Sequence, residues 1–189
     1  TMPLCRFLIL LCLASPLQIT AAERTAADPG SDLPEMELIK ISIDDYRDLN
    51  EEARDHFRDG EYDQAFEKLS TAARWGDKLS QFLLAVSYLQ GLGTDIDNVV
   101  GTAWLTVAAE SENRRWEDFL RQVESAISAQ ESAAANELAQ RLIGFYGMRA
   151  MDVNCRRIGS ASSRLRHVRC TKRPGISGHR VKVPKNFPL

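Results

Sequence analysis

Residues Leu84–Glu110 read LAVSYLQGLGTDIDNVVGTAWLTVAAE, and their pattern decides the fold. Apolar side chains crowd the first part at Leu84, Ala85, Val86, Tyr88 and Leu89, and Gly91-Leu92-Gly93 interrupts them. After the polar Thr94-Asp95 turn, Val99, Val100, Ala103, Trp104, Val107 and Ala108 recur three and four residues apart, the spacing of one helix face. Two helices joined by a glycine-bounded turn follow from this. The first, over about Lys78–Gln90, is apolar on most sides and belongs in the centre of a stack.

Working outward, no proline occurs between Asp44 and Tyr146, and the apolar period stays helical. A helix from about Asp45 to Arg58 carries Tyr46, Leu49, Ala53, His56 and Phe57 on one face and stops at Gly60. A second, Tyr62 to Arg74, carries Tyr62, Ala65, Phe66, Leu69, Ala72 and Ala73 and stops at Gly76. A fifth carries the series Trp116, Phe119, Leu120, Val123 and Ile127. Ser128 with Glu131 forms a capping box, so a sixth helix starts near Ala129 and packs Ala135, Leu138, Ala139, Leu142, Ile143 and Tyr146.

The spacing Ala53, Gly60, Tyr62, Ala65, Ala72 resembles the helix-turn-helix unit of the tetratricopeptide repeat. The next unit, Ala85, Tyr88, Gly91, Gly93, Ala103, Trp104 and Ala108, resembles the related Sel-one-like repeat, which has a longer loop between its helices. Ala53 maps to Ala85 and Ala72 to Ala108, offsets of 32 and 36 residues. The resemblance implies an all-α fold over 44–147, a short right-handed stack of about three antiparallel helix pairs with a concave face. It also implies binding of peptides, protein segments or assembly partners, and it makes catalysis unusual. Some disulfide-containing secreted relatives are associated with cell-wall components.

The chain's ends differ from its middle. Arg6, the apolar stretch Phe7–Ala14 and the small residues Thr20-Ala21-Ala22 read as a signal peptide over 1–22, cleaved after Ala22 and leaving no membrane span. Localisation is then periplasmic or secreted. Residues 23–43 begin with the polar, proline-broken ERTAADPGSDLP and read as a flexible leader. Removal of Cys5 and Cys12 with the signal leaves Cys155 and Cys170, and in an oxidising compartment one intramolecular disulfide is the economical reading. It closes a basic segment, 148–173, read as two short extended pieces around Gly159-Ser160-Ala161-Ser162-Ser163, and 174–189 follows as a loose tail.

All 26 acids lie in residues 1–152 with 14 Lys and Arg, while 153–189 holds 10 Lys and Arg and no acid. Arg164, Arg166 and Arg169 are the candidate anion-binding residues, facing an anionic envelope polymer or the acidic helical region of the same chain. Nucleic acid is not the expected partner, because the aromatics that stack bases are missing from the tail, Phe187 excepted, and export argues against it.

Cys155, His167, Cys170 and His179 are zinc-ligand types, but their spacing fits no usual structural-zinc pattern and oxidation favours the disulfide. Gly91-Leu92-Gly93 lacks the lysine and third glycine of a phosphate loop, and no G-x-S-x-G nucleophile turn occurs. His56 falls at the repeat position of Tyr88 and reads as a packing residue. No catalytic, metal or cofactor residues are assigned. The expectation is an exported, non-catalytic scaffold or adaptor for a protein or peptide. The alternatives are an envelope anion- or wall-binding protein and a small envelope enzyme or enzyme inhibitor.

Overall fold

The structure, a computed structural model, describes residues 36–160, 163–174 and 178–184. Its elements in order are β1 (Met36–Ile41), α1 (Ile43–Asp59), α2 (Tyr62–Arg74), α3 (Lys78–Gln90), α4 (Asn98–Ala109), α5 (Arg114–Ala126), α6 (Ala129–Tyr146), β2 (Val153–Ser160), β3 (Ser163–Lys172) and β4 (His179–Pro184). The body is all-α, with two small antiparallel strand pairs attached.

Local chemistry explains where the helices begin. Each free N-terminal amide set needs an acceptor: Ser42, Asp77, Asp97 and Asn113 offer side-chain oxygens to Asp45, Ser80, Val100 and Arg115. The capping box forms at α6, where Ser128 Oγ accepts from Glu131 N–H and Glu131 accepts from Ser128 N–H. Gly60 and Gly91 close α1 and α3 in the left-handed conformation that an L side chain resists.

α1 packs on α2, α2 on α3 and α3 on α4. Equivalent positions of the first two pairs are equally dry: Ala53 and Ala85, Leu69 and Leu105, Ala72 and Ala108 are all fully buried. Small residues at such positions let helix backbones approach closely. Between the pairs, Gly93 sits at φ 72°, and a Cβ there would fall 2.2 Å from the Tyr62 carbonyl oxygen, so the loop before α4 presses directly on the start of α2. α6 then rests on α4 rather than pairing with α5, with Tyr146 stacked on Trp104 at 5.6 Å between ring centres. α5 contacts α4 and stacks Trp116 on Phe82 of α3, rings 4.8 Å apart and 9° from parallel.

The ends correct one expectation. Part of the leader, Met36–Ile41, and part of the tail, His179–Pro184, are ordered strands that pair antiparallel, with Ile39 opposite Val181. An isolated two-stranded ribbon is marginal in water. This one survives by burying Ile41 and Val181 with Met151 and Val153, against Tyr46 of α1 and Trp75. Gly76, at φ 89°, leaves room for Met151, whose Cβ would lie 2.7 Å from an added methyl. β4 is therefore docked on α1 and the α2–α3 turn. The expected signal peptide with Cys5 and Cys12, the rest of the leader up to residue 35, and residues 185–189 lie outside the described residues.

Candidate functional site

β2 and β3 form the expected hairpin, with Cys155 directly opposite Cys170 and the disulfide closed over a separation of 15 residues. Its inner face packs Val153, Cys155 and Cys170 into the second core. An open cleft remains between this hairpin and the helices. One lobe, about 540 Å³, is lined by the α4–α5 turn, the first turns of α5, Arg157 and His167. A second, about 360 Å³, continues past Asn113 to Arg54, Leu79, Trp116 and the strand residues Val168, Arg169 and Cys170.

The cleft's charges are unevenly satisfied. Arg54 reaches Asp77 at 3.4 Å, and Lys78 is held by Glu110 at 2.8 Å. Arg157 donates to the Glu112 carbonyl oxygen at 3.3 Å and lies 3.9 Å from its carboxylate, and Asp118 pairs with Arg121. Glu112 itself sits at φ 58°, an uncommon conformation for a residue with a side chain. Arg114, Arg115 and Arg169 have no acidic partner among the described residues. The unpaired charge of the cleft is positive.

Buried ties hold its floor. Lys78 opens α3, where the helix dipole disfavours a cation, yet its ammonium reaches the Val107 carbonyl oxygen at 2.7 Å near the C-terminus of α4, where a cation is favoured. Burial pushes the Lys78 ammonium below the usual lysine range, and the Glu110 carboxylate opposes that shift. Glu110 also accepts from Met148 N–H at 3.0 Å, so one carboxylate joins α3, α4 and the chain leaving α6. Gln81 Nε2 donates to the carbonyl oxygens of Ala73 at 3.0 Å and Tyr146 at 2.9 Å, tying α2 to α6.

No protein-family profile matches the chain, and no curated protein matches it significantly. Part of it is similar to a solved protective antigen. That antigen is present in uropathogenic Escherichia coli strains and displays an SLR fold; the two are 27% identical, with a TM-score of 0.45. The match covers 48% of this chain and 20% of the antigen, so this chain spans about a fifth of that protein's length.

Among the residues singled out by sequence, Ala53, Ala65, Ala85, Ala103, Trp104 and Ala108 are buried in the main core. Tyr88 is half-buried, edge-on to Phe66, while Tyr62 lies at the surface beside Phe57 with 36% of its area exposed. His56 is half-buried, as Tyr88 is, and its ring nitrogen also meets Glu61 at the end of α1. Arg169 is exposed at the cleft, whereas the side chains of Arg164 and Arg166 lie outside the described part of the structure. His167 lines the cleft, and the disulfide denies a zinc ion both thiolates.

Arg114 and Arg115 escaped the sequence reading. A signal was present: two adjacent arginines follow the N-cap Asn113, in a first turn where the helix dipole favours acids. No described helix is long and apolar enough to cross a membrane.

Proposed function

We propose that this chain is an exported, non-catalytic helical scaffold that recognises a protein segment in the cleft between α5 and the β2–β3 hairpin. The observation that carries the reading is the convergence of Arg114, Arg115 and Arg169 on that cleft without acidic partners among the described residues. Cations left unpaired after the cleft's own carboxylates are matched to other arginines favour an anionic ligand, and a cleft bounded by α5 and a docked hairpin gives that ligand a shape to match. The closed disulfide supports a periplasmic or secreted setting, since such bridges persist in oxidising compartments.

A second reading assigns the same cations to an anionic envelope polymer. The acid-free run from Val153 to Leu189 favours it, with Arg156 and Arg169 exposed. One experiment separates the two. The oxidised chain and its Arg114→Glu/Arg115→Glu/Arg169→Glu variant are immobilised and exposed to exported proteins and to envelope polymer. Recovery of a discrete protein by the parent and its loss with the variant supports the scaffold. Recovery of polymer alone overturns it.

A further inference from the structure

Among the described residues β3 pairs with one strand, β2, and its other edge has no strand partner there. His167, Val168, Arg169 and Cys170 all line the cleft's second lobe. Successive strand side chains leave on opposite faces, so four consecutive residues on one cleft mean that the cleft follows the edge of β3.

The phase of the ladder fixes which backbone groups meet it. Opposed residues in an antiparallel pair alternate between wide pairs that exchange both hydrogen bonds and narrow pairs that exchange none. Cys155 and Cys170 are opposed with Cα atoms 4.0 Å apart, a narrow pair. Three positions along, Arg173 N–H donates to the Asp152 carbonyl oxygen at 3.0 Å, which puts a bonding pair where this phase requires one. Val168 and Cys170 therefore direct N–H and C=O away from β2. No described backbone group outside the strand ladder bonds to either.

We infer that the cleft takes an extended acidic protein segment as a third strand on the edge of β3, its carboxylates set against Arg114, Arg115 and Arg169. The inference rests on the scaffold reading and deepens it. Main-chain pairing along an open edge supplies affinity, while alternate side chains find their own surroundings. Leu79, Trp116 and Val168 give apolar lining in the lobe that holds Arg169, which suits a segment alternating acidic and apolar residues. A lipid headgroup or polyphosphate brings anions but no repeating amides to match the free N–H and C=O groups.

The test is titration of the oxidised full chain with a peptide alternating Glu and Val, followed by amide NMR and tryptophan fluorescence at low and high salt. The Val168 and Cys170 amides should shift and gain exchange protection. Arg114→Glu/Arg115→Glu should weaken binding at least tenfold, the difference shrinking at high salt. Val168→Pro removes an outward N–H at an edge position that tolerates proline, and it too should cost at least tenfold. If that variant does not fold, the same peptide with alternate amides N-methylated should bind the parent at least tenfold more weakly. Binding that leaves the two amides unprotected overturns the inference, as does binding of polyphosphate or phosphatidylglycerol vesicles but not of the peptide. Should the charge reversals still abolish protein capture in that case, strand addition fails and the scaffold reading stands.

Discussion

Lys78 Nζ lies 2.8 Å from Glu110 Oε2 in the junction of α3, α4 and the segment after α6, with only 2% of the lysine side chain exposed. Removing one partner of a buried pair leaves the other charge uncompensated. Lys78→Met should cost about 3 kcal/mol in urea unfolding, and Glu110→Gln, which keeps an acceptor for Lys78 and Met148, should cost less. The double variant should be less damaged than the sum of the two. Additive losses would show that the pair is not coupled.

Burial pushes Lys172 down to about 8 from its ordinary 10.5, with Asp152 opposing the shift. Below about 8 the lysine is charged folded or unfolded, and the full cost of burying that charge is present. Between the two values the unfolded chain binds more protons, so stability rises with pH. Lys78, also held down by burial, adds to this rise. Tyr146 works the other way: burial pushes it up to about 12, so the unfolded tyrosine ionises first and stability falls from about pH 10 upward. Denaturation midpoints should thus climb from about pH 8 to a maximum near pH 10 and fall above it, and Lys172→Met should flatten the rising limb while leaving the fall.

Two glycines with similar backbone angles should respond differently. Gly60→Ala, with nothing within 4 Å of the new methyl, should lose about 1 kcal/mol for the left-handed backbone. Gly93→Ala meets the Tyr62 carbonyl at 2.2 Å and should lose more than about 2 kcal/mol. Equal losses in chemical denaturation would refute the close approach of the α4 loop to α2.

Reduction of Cys155–Cys170 should expose two alkylatable thiols and lower stability by about 3 kcal/mol, the loop-closure value for a ring of this size. The bond lies outside the main helical core, so far-UV circular dichroism should keep its helical signal.

The helices were legible because caps, glycine stops and apolar period agree over long segments; α2 and α3 begin and end at the residues expected from sequence. β1 and β4 were not. Each spans six residues, too few for a period of two to stand out, and the whole helical body and the β2–β3 hairpin separate them in sequence. Their pairing becomes favourable only once Met151, Val153 and Trp75 supply a second core. The hairpin could be read because its cysteines and glycine-serine turn are local signals. The cleft could not, since Arg114 and Arg115 look like the polar side of an amphipathic helix until β3 is docked nearby. Tyr62 falls on the apolar stripe of α2 in the sequence, but its ring is 36% exposed, edge-on to Phe57.

The most direct test places a photo-crosslinking amino acid at Trp116, on the cleft, and separately at Gln140, exposed on α6. Both oxidised proteins are irradiated in their exporting cells and their adducts identified by mass spectrometry. The scaffold account predicts a discrete protein adduct from position 116, lost on Arg114→Glu/Arg115→Glu substitution, and none of that identity from position 140. The same adduct from both positions, or one unaffected by the charge reversal, would contradict it.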